Sequence, residues 1–129
     1  MIDHVSIAVR DLKVGERFYT ALLATLGMTK LREWPDAAIC YGKNEKHPEF
    51  WINLRADMAP VAADSGVHIC LRALSIEAVD AFHAAALSGG GTSDGEPGFR
   101  KKYNPRYYAA FIRDPDGNRI EAVTFADEK

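Results

Sequence analysis

One carboxylate, Glu121, lies in an apolar stretch near the end of the chain, directly between Ile120 and Ala122. Burying a lone carboxylate costs free energy unless a cation meets it, so we expect a cation beside Glu121 and take it to be a metal ion. The rest of the chain must then supply further ligands. His4 and His68 each stand near the start of an apolar stretch, and imidazole is a common metal ligand.

Glu121 belongs to the second strand of a predicted β-hairpin. The sequence Asp114-Pro115-Asp116-Gly117 is typical of a tight turn, because proline fixes φ and glycine tolerates positive φ. Residues 107–112 before the turn and 119–125 after it are rich in β-branched and aromatic types, which favours strands. The alternation along the second strand places Glu121 at its middle.

A repeated pattern predicts the elements around these three residues. Phe18 and Gly27 follow His4 at the same spacings at which Phe82 and Gly91 follow His68. Each half begins with a strand and continues with a helix that has a capping residue, Asp11 or Ser75. The predicted strands are 2–9, 28–34, 37–42 and 50–55 in the first half, and 67–72, 107–112 and 119–125 in the second.

We therefore predict an α+β fold of two β-α-β-β-β modules, about residues 1–56 and 66–126, joined by a linker at 57–65. The whole chain, 1–129, is expected to be one domain. Two such modules would pack their curved, mixed sheets around a metal or ligand cavity. Residues 52–54 match residues 120–122 in this alignment, so a pseudo-twofold axis would bring four side chains to one centre: His4, His68, Asn53 and Glu121.

The composition excludes several other classes of protein. It is 47% hydrophobic and 26% charged, as in a soluble globular domain, and a net charge of −2 does not favour nucleic acid or anionic membrane as partners. Neither a signal sequence nor a membrane-spanning stretch is indicated. Cys40 and Cys70 are too few for a disulfide framework, so we expect reduced, buried thiols and a cytoplasmic protein.

The motifs resemble those of the vicinal-oxygen-chelate superfamily, which includes glyoxalases, extradiol dioxygenases and bleomycin-resistance proteins. The resemblance covers nearly the whole chain. It is strongest at residues 111–121, and includes 3–5, Phe18-Tyr19 and 66–69. It implies that His4, His68 and Glu121 are ligands of a divalent metal. Two imidazoles and a carboxylate suit Fe, Mn, Ni or Zn, so the ligand set does not identify the metal.

The resemblance also indicates which reaction to doubt. Glyoxalase I has a fourth, glutamate ligand where this chain has Asn53 in the alignment above, and an amide cannot act as a base. Asn53 and Glu121 are the predicted catalytic residues, with Asn53 bonded to a metal-bound water or a substrate oxygen. His47 and His83 lack such partners and are interpreted as ordinary surface or boundary residues.

The predicted substrate-binding residues come from two regions. Strand alternation places Ser6 on the face of His4, and Trp51 on the face of Asn53. A basic segment, 95–106, carries four cations against one carboxylate and is interpreted either as a solvated loop or as a lid over an anionic substrate. In the second case Arg100 contacts the substrate and Tyr103 or Tyr107 closes the pocket.

Three functions stay open. The favoured one is a metal-dependent enzyme of lyase or isomerase type that binds a small, anionic, oxygenated substrate through vicinal oxygens. The alternatives are an Fe(II) extradiol-type dioxygenase and a metal-free, drug-binding protein. The resemblance further implies a homodimer in which each metal site is built from both chains.

Overall fold

The chain folds into two modules with the same order of elements. The computed structural model describes residues 1–126. The first module contains β1 (Val5–Val9), α1 (Leu12–Ala24), β2 (Thr29–Trp34), β3 (Ala38–Gly42) and β4 (Phe50–Leu54). The second contains β5 (His68–Arg72), α2 (Ile76–Ser88), β6 (Thr92–Phe99), β7 (Tyr107–Arg113) and β8 (Arg119–Phe125). The predicted α+β fold of two β-α-β-β-β modules is confirmed.

Each module forms one mixed, four-stranded sheet. The strand orders are β1-β4-β3-β2 and β5-β8-β7-β6. In each sheet the first strand pairs in parallel with the last, and the other pairs are antiparallel. β1 and β5 are edge strands, and neither sheet is closed. Within residues 1–126, no helix has both the length and the apolar character that crossing a membrane requires.

The helices cover one face of each sheet and leave the other face open. In β4, Phe50 and Ile52 are fully buried, whereas Trp51 and Asn53 between and after them are partly exposed. A Cβ atom on Gly15 of α1 would lie 3.3 Å from the Cδ1 atom of Ile52, so α1 packs on that side. The predicted caps are confirmed, because Asp11 accepts hydrogen bonds from two backbone amides and Ser75 from one.

Side chains of the turn between β7 and β8 form hydrogen bonds with the first module. Nε of Arg10 donates to Oδ1 of Asp116 at 2.8 Å, and the Tyr19 hydroxyl donates to Oδ2 of Asp114 at 2.6 Å. Asn118 adds a bond from Nδ2 to the carbonyl of Ala8 at 2.9 Å. Burial raises the pKa of Tyr19 well above its usual value, so its hydroxyl stays a donor. The predicted turn thus also joins the two halves.

Three sequence-based expectations are wrong in detail. β1 begins at Val5, so His4 precedes the strand instead of lying within it. Residues 95–99, predicted as part of a loop, belong to β6, because β6 pairs with β7 across two register shifts. Cys40 is buried as expected, but Cys70 is exposed, since alternation along the edge strand β5 turns it away from the core.

Candidate functional site

His68 and Glu121 form the centre of the site. Nε2 of His68 lies 3.0 Å from Oε1 of Glu121, and the two residues come from β5 and β8, which are paired neighbours. Glu121 is only 2% exposed, whereas the side chain of His68 is 46% exposed. The expected buried carboxylate is therefore present, and a half-exposed imidazole meets one of its two oxygens.

The other oxygen of Glu121 is held by a tyrosine. The hydroxyl of Tyr107 donates a very short hydrogen bond to Oε2 of Glu121. The Tyr107 ring meets the Tyr103 ring edge to face, with centroids 5.1 Å apart. Desolvation, and next the bond to Glu121, raise the pKa of Tyr107, so the hydroxyl remains a donor that fixes the carboxylate.

These residues border one cavity. It measures about 250 Å³ and is lined by His68, Tyr103, Tyr107, Phe111 and Glu121. The fold thus brings Tyr103 and Tyr107, which are predicted substrate-binding residues, to the His68–Glu121 pair. Phe111 also lines this cavity, which its sequence neighbourhood does not predict. The signal that could have found it is the hairpin register, which pairs Phe111 directly with Glu121.

His4 lies across a second cavity from His68. This cavity of about 400 Å³ is bordered by both histidines and also by Glu49 and Cys70. Nδ1 of His4 is 2.7 Å from Oδ1 of Asp3, and the imidazole centroid is 6.0 Å from that of the Trp51 ring. The second nitrogen of the ring is the one left for a ligand.

One chain does not bring the three predicted ligands together. Among residues 1–126, no three His, Cys, Asp or Glu side chains lie close enough to hold a metal ion. The prediction that symmetry within the chain gathers His4, His68, Asn53 and Glu121 at one centre is therefore wrong. The physical reason is that His68 and Glu121 lie on the paired strands β5 and β8 of the second sheet, whereas His4 precedes β1 of the first sheet, so strand pairing joins only His68 to Glu121.

The strand register also corrects the repeat alignment. Glu121 pairs with Cys70, two residues after His68, and Ser6, two residues after His4, pairs with Trp51. Trp51, and not Asn53, is therefore the counterpart of Glu121 in the first module. Asn53 lies two residues further along β4, on the same face of the sheet, and is paired with Ala8. The residue that matches Glu121 in the first module therefore carries an indole, not an amide.

Asn53 is tied to the neighbouring strand. Its Nδ2 atom donates to Oγ of Ser6 at 2.8 Å and to the carbonyl of Ile7 at 3.0 Å. Ser6 and Asn53 thus lie together on the open face of the first sheet. Contact of either residue with a substrate stays a prediction.

The basic loop is shorter than predicted and Arg100 is turned toward its own strand. Its guanidinium donates to the carbonyls of Glu96 at 2.6 Å and Gly98 at 2.9 Å, and lies 5.4 Å from the centroid of the Phe111 ring. Phe99, Arg100, Lys101, Lys102 and Tyr103 line a cavity of about 430 Å³. Tyr103 borders this cavity and the one that holds Glu121, so the two adjoin.

Cys70 is not an activated nucleophile. Desolvation, and then the nearby Glu121 carboxylate, raise the pKa of its thiol from 9.0 to about 12. Almost none of the thiol is ionised at neutral pH, and the thiolate is the reactive form. His83, interpreted from the sequence as a surface or boundary residue, is buried and bonded to Oγ of Ser93 at 2.8 Å, away from these cavities.

Fold and site together define a class of protein. Its members have two α+β modules, and an imidazole on an edge strand lies beside a carboxylate on the neighbouring inner strand, here β5 and β8. The family model described as the Glyoxalase/Bleomycin resistance protein/Dioxygenase superfamily matches residues 1–122. The chain belongs to this superfamily.

Solved structures agree with this assignment. A glyoxalase/bleomycin resistance protein from Albidiferax ferrireducens T118 is 38% identical, with 94% of this chain and 96% of that chain covered and a TM-score of 0.80. A glyoxalase/bleomycin resistance protein/dioxygenase from Alicyclobacillus acidocaldarius is 19% identical, with coverage of 98% and 92% and a TM-score of 0.67, which supports the fold alone. Among curated proteins, none is similar enough to count as a relative.

Proposed function

We propose that the protein is a metal-dependent enzyme of this superfamily, of lyase or isomerase type, acting on a small anionic molecule with two adjacent oxygens. His68 and Glu121 would hold the divalent ion, and His4 would supply the third ligand. When bound, such an ion polarises substrate oxygens and stabilises the negative charge that develops on them.

The observation that carries this proposal is the geometry of His68 and Glu121. Their nearest ligand atoms are 3.0 Å apart. A divalent first-row ion would accept an imidazole nitrogen and a carboxylate oxygen this close together as two neighbouring ligands. The two side chains therefore fit an ion placed between them and the open cavity.

Tyr107 supports the same interpretation. A metal-bound carboxylate is usually held by a further hydrogen bond, which fixes its orientation and its basicity. The Tyr107 hydroxyl makes this bond to Oε2 of Glu121 and leaves Oε1 facing His68. The residue does not itself act as a base, because its pKa is raised.

The third ligand would come from a second copy of the chain. Within residues 1–126 of one chain His4 does not join His68 and Glu121 in a cluster. β1 and β5 are both edge strands, with one row of backbone groups unpaired within their own sheets. A C2 dimer that places His4 of each protomer against the His68–Glu121 pair of its partner would complete two sites.

The proposed anionic character of the substrate rests on the basic loop. Lys101 and Lys102 border the cavity that adjoins the Glu121 cavity at Tyr103. A molecule bound at His68 and Glu121 could extend past Tyr103 and place a carboxylate or phosphate near these ammonium groups. Arg100 would contribute by holding the loop, since its guanidinium is bonded to the carbonyls of β6.

Metal binding by single variants and by a mixture of two variants tests the proposal. Isothermal titration with Mn(II), Ni(II) and Zn(II), and with Fe(II) under anaerobic conditions, should show binding to the wild type. His4→Ala, His68→Ala and Glu121→Gln should each abolish it. His47→Ala is the matched control, because His47 is another exposed histidine beside Asp3 and should bind normally.

Mixing the His4→Ala and Glu121→Gln proteins under conditions that allow subunit exchange should restore about a quarter of the sites. Half of the dimers are then mixed, and one of the two sites in each mixed dimer retains all three ligands. No restoration would show that the chains do not share the site. A wild type that binds none of the four metals would refute the proposal.

A metal-free binding protein is the second candidate. It is favoured by one observation, the lack of a three-ligand cluster within residues 1–126 of a single chain. In that case the His68–Glu121 pair would bind a ligand by hydrogen bonds. The same titrations separate the two candidates, because this function requires no metal binding in the wild type or in the mixed variants.

A further inference from the structure

The open face of the first sheet carries two stacked indoles. The rings of Trp34 and Trp51 have centroids 5.3 Å apart and an interplanar angle of 28°. Trp34 is 44% exposed, which is unusual for so large an apolar side chain. Nε1 of Trp51 is buried and has no hydrogen-bond partner in residues 1–126. This side chain therefore offers a ligand the apolar face of its indole and no hydrogen-bond donor. We call Trp34 and Trp51 together the indole shelf.

Small side chains lie directly beside the indole shelf. Across the sheet from Trp34, the paired positions are Ala38 on β3, Asn53 on β4 and Ala8 on β1. The methyl groups of the two alanines leave space above the sheet. The amide of Asn53 is held down by its bonds to β1. A flat molecule can therefore lie on this strip with its ring against the indoles.

The guanidinium of Arg32 lies over the Trp34 ring of this shelf. The guanidinium carbon of Arg32 lies 5.8 Å from the Trp34 ring centroid, and Arg32 is exposed. In the sheet, Arg32 is joined to Trp51 through Cys40, which pairs with both. An aromatic surface next to an exposed guanidinium complements a molecule that has both a flat ring and a negative charge.

We propose that the indole shelf binds the aromatic ring of a planar aromatic carboxylate, with Arg32 facing its charge. The shelf adjoins the candidate metal centre, because the His4 ring lies 6.0 Å from that of Trp51. As a statement about the substrate, this inference rests on the proposed function, since it makes the oxygenated substrate an aromatic one. As a statement about binding, it stands on the geometry of the first sheet alone.

Benzoate and cyclohexanecarboxylate form a matched pair of probes. They have the same charge and nearly the same size, but only benzoate is flat and aromatic. Trp34 and Trp51 are the only tryptophans in the chain, so quenching of tryptophan fluorescence reports on the shelf directly. Stacking on an aromatic side chain should make benzoate bind about three- to tenfold more tightly than cyclohexanecarboxylate.

Three variants separate the contributions of ring and charge, measured by calorimetry. Trp34→Leu should remove the preference for benzoate and leave the affinity for cyclohexanecarboxylate unchanged. Because Trp34 is on the surface, this variant should fold normally. Arg32→Gln should weaken both probes equally, and Arg17→Gln, an exposed arginine on the helix side of the sheet, should weaken neither.

All titrations are made with metal-free and with metal-loaded protein. A preference for benzoate in both forms supports the shelf. If the protein binds no metal but still prefers benzoate, only the metal proposal is refuted. Equal affinity for the two probes, with intact metal binding, overturns the shelf alone. The shelf is also overturned if Trp34→Leu dissociates an oligomer in sedimentation but does not change binding of benzoate, because a second copy would then cover this face.

Discussion

Removing the hydroxyl of Tyr19 tests how strongly the β7–β8 turn is fastened to the first module. Tyr19 is fully buried and its hydroxyl lies 2.6 Å from Asp114, which is 4% exposed. Tyr19→Phe deletes this bond without removing the ring, which meets Phe18 and Phe50 at centroid distances of 5.0 and 5.3 Å. Only the hydrogen bond is therefore at issue.

The expected cost follows from what Asp114 retains. Its carboxylate still accepts three bonds, from the side-chain and backbone nitrogens of Asn118 and from the backbone of Asp116. The loss is then one hydrogen bond to a charged group, about 1.5–3 kcal/mol. For a domain of this size it should lower Tm by about 5–15 °C. Asp114→Ala should cost more, because it leaves buried donors without an acceptor.

Chemical denaturation of the two single variants and of the double variant provides the assay. Because Tyr19 and Asp114 are in direct contact, the double variant should lose clearly less stability than the two single losses added together. A Tyr19→Phe variant within about 0.5 kcal/mol of the wild type would refute the reasoning. Strict additivity in the double variant would refute it as well.

The pH dependence of stability tests whether the pKa of Asp114 is raised or lowered by folding. Burial raises the pKa of Asp114 above its usual 3.8, in spite of hydrogen bonds that lower it. The stability contributed by the protonated side chain is therefore fully present below pH 3.8 and is lost as the pH rises through the folded-state pKa. As the pH rises through this window, the wild type should lose stability relative to Asp114→Asn. A gain in stability would contradict a raised pKa for Asp114.

Three further predictions concern the site and the second module. In metal-free protein at pH 8, Cys70 should react with iodoacetamide at least about tenfold more slowly than an ordinary thiol, because its pKa is raised, and Glu121→Gln should accelerate the reaction. Tyr107→Phe should weaken metal binding about ten- to a hundredfold in calorimetry, whereas Tyr103→Phe, which keeps its ring contact, should not. Gly91→Ala should destabilise the fold by at least about 2 kcal/mol in denaturation, since its Cβ would lie 2.6 Å from a carbonyl oxygen of β7.

The modular fold could be predicted because its signals are local and occur twice. The spacing of Phe18 and Gly27 after His4, repeated after His68, gave the repeat, and the caps and the tight turn gave its boundaries. The burial of Glu121 followed from its apolar neighbours. These signals depend on nearby residues and need no knowledge of how the sheets are paired.

Register between distant strands could not be predicted in the same way. A shift of one residue moves a side chain to the other face, but a shift of two keeps it on the same face, so alternation does not reveal it. Asn53 and Trp51 differ by such a shift. Pairing with β1 decides between them, because it sets Ser6 opposite Trp51 and places Asn53 beside Ala8.

β6 was missed for a different reason. Gly95, Pro97 and Gly98 are poor strand formers, so the local sequence indicated a loop. Pairing with β7 overrides this preference. A Cβ atom on Gly95 would lie 2.9 Å from the Phe111 ring, and one on Gly98 would lie 3.2 Å from the Arg100 guanidinium. The glycines are there to let these two side chains lie against the strand.

The two modules carry different residues, Trp51 and Glu121, at matching positions, so they offer a ligand two chemically different surfaces. If both modules carried the same residue there, a ligand between them could bind in either of two equivalent orientations. Here one module presents a carboxylate with an imidazole and the other presents an indole. A ligand with one polar end and one flat end would then have a single favourable orientation. A duplicated scaffold can in this way distinguish the two ends of a molecule that has no symmetry of its own.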